Sequence, residues 1–393
     1  MIRISTRIAT LSFALAACSE QSTAPANSCA ALGAQTVESL ATIQWNARTR
    51  ALVTKYRTDP SARPYALVSM AQLNATAAAE ASTVAPCVSS RAAVASASAA
   101  VLTSLYPGEA TGLDSAVRAQ ITADSLLGAT GLVEGEAAGR RAAEPILTIA
   151  RNDGLNAAFT TTLPIGPGMW FSSAKPAAPP ATPMLGKMRP WVLSSGNQFR
   201  PAAPPAFGSE AFQKAVAEVK SIATGRTAEQ LAVAQKWALS GGTFRTQGQW
   251  NLVASDILAA RRVSERVAAH TLATLNVAMN DASIGCFDAK YTFWLLRPSQ
   301  VDSSISLPIG LPNHPAYPSS HSCTSGAGAE VLATLYPSEG ARMRALADEI
   351  GMSRLYAGIH YRFDIDAGLA LGERAARLTL EVDRTKGLLV ILR

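Results

Sequence analysis

The sequence predicts an all-α protein. Hydrophobic residues fill 48% of the 393 positions against 16% charged, and alanine, the strongest helix former, is prominent among them. Apolar residues recur at mixed three- and four-residue spacings, and no strong alternation marks strands in the N-terminal half.

Taken in order, segments 37–56, 64–82, 89–105 and 131–153 read as successive helices, with Gly154 stopping the last and Pro145 kinking or dividing it. Residues 154–208 then hold ten of the 22 prolines, a texture of either a linker or a wrapping loop. Trp170 and Trp191 favour an ordered wrap that rims a site, because a solvated hinge rarely carries two tryptophans. Helices resume at Glu210, where Phe212, Ala215, Val216, Val219 and Ile222 share a face, and Thr227 with Gln230 fits a capping box. Gly241-Gly242 breaks the pattern before helices at 250–260 and 264–281, the latter enclosing His270 as a packed, hydrogen-bonded core residue. The apolar 388–392 stretch is either a docking tail or a short strand. The organisation expected is a helical region with a Pro-rich wrap over 36–208 and a catalytic helical bundle over 209–393.

Residues 1–17 form an address: Arg3 and Arg7 precede a short apolar core, and Leu15-Ala16-Ala17-Cys18 resembles a bacterial lipobox. Cleavage before Cys18, acylation of its thiol and a tether over 18–35 follow, and Ser19 matches outer-membrane sorting. An ordinary signal peptide with a chance cysteine is the plainer alternative. The body is then exported, held by a lipid anchor and facing the periplasm or the cell surface, since no later stretch reaches the roughly 18 apolar residues of a membrane-spanning helix. Net charge is +7 and is spread without a Lys/Arg run, so no nucleic-acid partner is expected. Export makes Cys29, Cys87, Cys286 and Cys323 an even set suited to two disulfides, with Cys29–Cys87 and Cys286–Cys323 favoured over the other pairings and over buried free thiols.

The chemistry concentrates between Lys290 and Asp364, which hold three of the four histidines. Lys290 and Arg297 are seven residues apart and face the same way if 289–296 is helical, with Pro298 ending that helix. They lie in a largely apolar stretch, and buried cations need anionic partners. Ser319, Ser320 and His321 fall at a predicted helix N-terminus, where free N–H groups favour an anion; Ser319 could equally be only an N-cap. Asp364 lies four residues after His360, close enough to orient its imidazole, and Arg354 adds a third cation suited to a tetrahedral oxyanion.

These blocks resemble the superfamily that joins type 2 phosphatidic acid phosphatases, bacterial non-specific acid phosphatases and vanadium-dependent haloperoxidases. Its signature is a lysine, six residues and Arg-Pro; then Pro-Ser-Gly-His; then Ser-Arg, five residues, His, three residues and Asp. Lys290 with Arg297-Pro298, Pro318-Ser319-Ser320-His321, and Ser353-Arg354 with His360 and Asp364 follow it, except that Ser320 replaces glycine. That serine could crowd a bound anion or donate an extra hydrogen bond. The resemblance implies an all-α helix-bundle fold and an oxyanion pocket made by Lys290, Arg297, Ser319, Ser320 and Arg354. In a phosphatase, His360 attacks phosphorus of a phosphomonoester, Asp364 fixes its tautomer, His321 protonates the leaving group, and no cofactor is needed. In a haloperoxidase the pocket holds vanadate with His360 as its protein ligand, and peroxide and a halide are the substrates. His314 occupies a position where similarity to algal bromoperoxidases places a histidine, although a structural loop histidine reads the same way. A non-catalytic lipoprotein scaffold is the third class.

Mass spectrometry of the membrane-extracted protein is expected to show an N-terminal acylated Cys18; an unmodified cysteine or cleavage elsewhere overturns the lipid anchor.

Overall fold

The computed structural model describes residues 40–83 and 87–392; the address at 1–17, Cys18, the 18–35 tether and Cys29 lie outside the described residues. The N-terminal part comprises α1 (Ala41–Lys55), α2 (Ala62–Glu80), α3 (Ser90–Leu105), α4 (Ala110–Leu126) and α5 (Leu132–Arg151). After the wrap come α6 (Glu210–Thr224), α7 (Ala228–Lys236), α8 (Arg245–Arg261), α9 (Glu265–Phe293) and the single turn α10 (Pro298–Val301). The chain closes with α11 (Ser320–Leu335), α12 (Gly340–Tyr356), α13 (Arg362–Lys386) and a 3-10 turn, Leu388–Leu392. Outside helices, the described residues form only isolated bridges, Met169 with Leu295 and Gly241 with Thr243. No described helix is long and apolar enough to cross a membrane.

The bundle is organised around α9. Every residue from Thr271 to Lys290 is buried, which requires neighbours on all sides. On one side α2 packs against it; on the other lie α11 and α13. Ala269, Ala273 and Val277 enter the hydrophobic cluster of the N-terminal helices, while Leu272, Leu275 and Met279 enter that of α8, α11, α12 and α13. The two halves therefore share one helix as their common wall.

Several sequence expectations need correction. The 264–281 helix continues to Phe293, where Trp294 adopts a left-handed backbone (φ 52°) and donates to Lys290 O. Leu295 and Leu296 are extended: Leu296 donates to Gly168 O at 3.1 Å and Leu295 O accepts from Ala316 at 2.8 Å. Arg297 therefore does not share a helix with Lys290, and Pro298 opens α10 instead of closing a helix. Helix α4 was not foreseen. Pro145 lies within a continuous α5; the carbonyl it leaves without a donor belongs to exposed Arg141, where water can satisfy it. His270 is not a core residue: its side chain is 36% exposed and pairs with Asp383 at 2.8 Å. The 388–392 stretch docks as a 3-10 turn, with Leu388 buried in the N-terminal cluster.

The 154–208 segment is an ordered wrap. Asp281 on α9 accepts from the backbone N–H groups of Trp191, Val192 and Leu193 at 2.7–2.9 Å. Two turns later on the same helix side, Asp288 holds the Arg200 guanidinium through two hydrogen bonds of 2.6 and 3.0 Å.

Close approach of α11 to α13 brings the two histidine-bearing segments together. A Cβ on Gly372 of α13 would lie 2.1 Å from Cys323 O, and one on Gly326 of α11 would lie 2.3 Å from Leu369 O, so the contact requires hydrogen at both positions. The Cys286–Cys323 disulfide ties α11 to α9 as well, with a Cα–Cα distance of 6.3 Å. Cys87 packs near Thr130 O at 3.9 Å.

Replacing Gly372 by Ala forces the helices apart and is expected to cost about 1–3 kcal/mol, read as a lowered chemical denaturation midpoint; an unchanged midpoint would show that the crossing can relax.

Candidate active site

His360 lies in the turn that precedes α13, and the helix start fixes its ring. Tyr361 is the N-cap and Asp364 the third helical residue; Asp364 Oδ2 accepts from Tyr361 N at 3.1 Å and from His360 Nδ1 at 2.8 Å. The other ring nitrogen, Nε2, lies 2.9 Å from Arg297 Nη1. A guanidinium can only donate, so Nε2 carries the lone pair and Nδ1 the proton. Burial, then the charges of Arg297 and Lys290, push the His360 pKa well below the ordinary 6.5, which keeps the imidazole neutral. Burial pushes the Asp364 pKa up, opposed by Lys290, the Tyr361 N–H and Arg297, which favour its carboxylate form.

Ser319 joins this turn to α11. Its backbone N–H donates to Asp364 O at 2.8 Å, and its hydroxyl caps α11 by accepting from Ser322 N at 3.4 Å. Ser320 is the first helical residue, needs no glycine-only backbone, and faces the cavity with its Oγ 4.0 Å from Cys286 Sγ. His321, next along, also faces the cavity, and its Nε2 is buried without a hydrogen-bond partner. Burial and then Arg354 hold its pKa well below 6.5, while the carbonyls of Trp237 and Ala238 pull upward.

The three cations expected around one oxyanion occupy different layers. Lys290 is fully buried and donates to the carbonyls of Pro315 and Ala316 at 2.9 and 2.8 Å and also to Pro318 O. Burial and Arg297 depress its pKa, yet three carbonyl acceptors are satisfied only by an ammonium with three N–H groups. Arg297 is likewise buried, brought down to about 10 by desolvation, and spread over Ile359 O, His360 Nε2, His314 O and His314 Nδ1. Only Arg354 among the three lines the cavity; its Nε donates to Ser353 Oγ at 2.9 Å and one Nη to Ala234 O at 3.2 Å. Lys290 and Arg297 are not among the residues that line the cavity; Lys290 holds the Pro315–Pro318 loop and Arg297 holds the His360 ring.

The cavity encloses about 360 Å³ and brings His314, Ser320, His321, Arg354 and His360 onto one surface. His314 rests against Phe287 with ring centroids 5.3 Å apart, and its Nδ1 is 3.1 Å from Arg297 Nη2. The wrap contributes Ala181 and Leu185 to the rim. Sequence reasoning missed other residues of the lining: Asp59 from the α1–α2 connection and Arg245 and Gln247 from α8. These residues carry no spacing motif, and only the Gly241-Gly242 break hinted at a loop there.

Residues 270–387 match the model of the PAP2 superfamily. All of the site's motif residues fall within the PAP2 region. The lipid A 1-phosphatases of Rhizobium johnstonii and Rhizobium etli are each 40% identical over 74 residues, 19% of this chain. The matched stretch spans about a third of those curated relatives, 30% and 32% of their lengths. The fold likeness extends well beyond the PAP2 region. A bacterial vanadium-dependent iodoperoxidase aligns with a TM-score of 0.74 at 24% identity, covering 88% of this chain and 96% of its own. The holo form of a bacterial vanadium-dependent chloroperoxidase aligns at 0.67 and 16% identity, covering 86% and 92%. The chain therefore has the all-α fold of the vanadium haloperoxidases.

Long-range 15N–1H correlation spectra are expected to show His360 protonated at Nδ1 at neutral pH; Asp364→Asn should shift the proton population toward Nε2. An unchanged tautomer in the variant would mean that Arg297 alone sets the ring state.

Proposed function

We propose that the protein is an exported phosphatase that hydrolyses phosphomonoesters through a phosphohistidine on His360. What carries this reading is the pair of imidazoles on one cavity: His360 neutral with its Nε2 lone pair directed by Arg297, and His321 with a buried, unpartnered Nε2. One ring is prepared as a nucleophile and the other is free to exchange a proton with a bound group. The cavity extends well past the two rings, with room for an organic substituent on the ester. The predicted lipid tether would extend the substrate range to lipid phosphates.

In the first half-reaction His360 Nε2 moves from Arg297 Nη1 to phosphorus, forming a P–N bond as the P–O ester bond breaks. The proton on His321 Nε2 goes to the leaving oxygen. Asp364 accepts from Nδ1 throughout, which stabilises the positive charge that develops on the His360 ring. Arg297, released from Nε2, and Arg354 donate to the equatorial oxygens, and the N-terminal amides of α11 near Ser320 add further donors. In the second half-reaction His321 takes a proton from water as its oxygen attacks phosphorus, and the P–N electron pair returns to His360.

The same residues fit vanadate, and His314 on the cavity wall beside Arg297 favours this as a second reading. His360 Nε2 would supply the protein ligand, and Arg354 with the Ser320 end of α11 would hold its oxygens. When bound, vanadate supplies the activation of hydrogen peroxide for bromide or chloride oxidation. His321 would manage protons at the same face.

Purified protein is expected to hydrolyse p-nitrophenyl phosphate, with His360→Ala lowering kcat by about 10³-fold or more. Hydrolysis that survives this change sinks the phosphohistidine. Bromination that depends on added vanadate, without phosphatase turnover, makes the second reading the answer.

The pH profile follows from the site. His360 must be neutral and His321 protonated, and both pKa values lie below 6.5. Therefore kcat/KM should fall as pH rises through the His321 value, giving an acid optimum below about 6.5. His321→Gln should remove this alkaline limb; an optimum above neutrality contradicts the assignment.

A further inference from the structure

The cavity lining holds a second polar group of residues that the phosphoryl chemistry does not use. Arg245 begins α8 with a left-handed backbone (φ 62°), a conformation uncommon for a side-chain-bearing residue and a sign that surrounding structure fixes it. Its Nε is buried without a hydrogen-bond partner. One Nη reaches Asp59 Oδ2 at 3.6 Å and Arg57 O at 3.4 Å, both at the long end for such contacts. The Asp59 side chain is 43% exposed, so the pair is open to water and loosely held. Beside it a chain of hydrogen bonds runs from Ser61 Oγ to Gln247 Oε1 at 2.9 Å and from Gln247 Nε2 to Thr324 Oγ1 at 3.1 Å. Thr324 is one turn beyond His321 on α11, which ties this wall to the proton-transfer residue.

Both groups open onto the same cavity. Leu185, Leu239, Phe287 and Leu311 line that cavity too and give it an apolar share of wall. Arg245 is close enough that its charge lowers the His321 pKa. An isolated orthophosphate needs only the His360 group. An unsatisfied guanidinium N–H, a weakly held internal carboxylate and an apolar wall form a receptor for a longer ligand that ends in a second anion.

We infer that Arg245 is a specificity residue that binds a second anionic group on the substrate, a phosphate or carboxylate separated from the reacting phosphoryl group by an apolar spacer, and that Asp59 is the internal carboxylate this group displaces. This rests on the phosphatase reading, because the first anion is placed at His360 and Arg354. The substrate class is thereby narrowed to phosphomonoesters bearing a distal acid.

Non-hydrolysable ligands test this without turnover. Calorimetric titration of the full chain with butylphosphonate and with α,ω-alkane bisphosphonates of increasing length should show at least one bisphosphonate binding about tenfold or more tightly. Arg245→Gln should collapse that ratio to about one. Asp59→Asn should raise it, because the guanidinium loses its competitor; a merely structural pair would lower it or leave it unchanged. Equal affinities for mono- and bisphosphonates, or an advantage that survives Arg245→Gln, overturn the inference while leaving the phosphatase reading intact. Circular dichroism of both variants separates misfolding from loss of recognition, and should Arg245→Gln misfold, the rise expected for Asp59→Asn decides. If neither ligand binds while vanadate-dependent bromination proceeds, the phosphatase reading has failed and the inference with it.

Discussion

The buried ammonium of Lys290 is the constraint on which the site depends. It lies at the end of a helix that is buried on every face, where an uncompensated charge would be costly. The chain supplies three carbonyls from the loop of Pro315, Ala316 and Pro318, and prolines suit that task because they have carbonyl acceptors and no competing N–H. Fixing this loop fixes the start of α11, where Ser319, Ser320 and His321 follow directly. The disulfide from Cys286, one turn before Lys290, to Cys323 clamps the same junction covalently.

Arg297 performs a parallel task for the other histidine. It holds the carbonyls of His314 and Ile359 and directs the His360 lone pair, while Asp364 takes the Nδ1 proton. Ser319 N–H to Asp364 O then joins the two helix starts. Two cations thus organise backbone around the cavity, and Arg354 and Arg245 line it. Burial first, and then the surrounding positive charge, keeps the histidines neutral: each protonation would add a cation to a buried set.

The N-terminal part belongs to the same construction. It packs α2 against α9, supplies Asp59 and Ser61 to the cavity and shares a hydrophobic cluster with the docked Leu388 turn. The wrap is held by Asp281 and Asp288, both on α9, so the helix that carries Lys290 also carries the rim. A change of register in α9 would move the Pro315–Pro318 loop, disulfide and rim together.

By itself the sequence determined the all-α character, through alanine-rich helical periodicity, and the identity of the motif residues, because covalent spacing such as His360 to Asp364 survives in any local turn. It also pointed to the Cys286–Cys323 link and the ordered wrap. Only the tertiary structure decided how Lys290 and Arg297 are used. Their seven-residue spacing suggested one helical face, but Trp294 turns left-handed and the wrap pairs with Leu295 and Leu296, so long-range backbone contacts overrode local periodicity. The same holds for Arg245 and Asp59, 186 residues apart in sequence and joined only when α1, α2 and α8 pack. Local pattern records what a short segment can do; which groups face one cavity depends on packing between segments that no spacing rule connects.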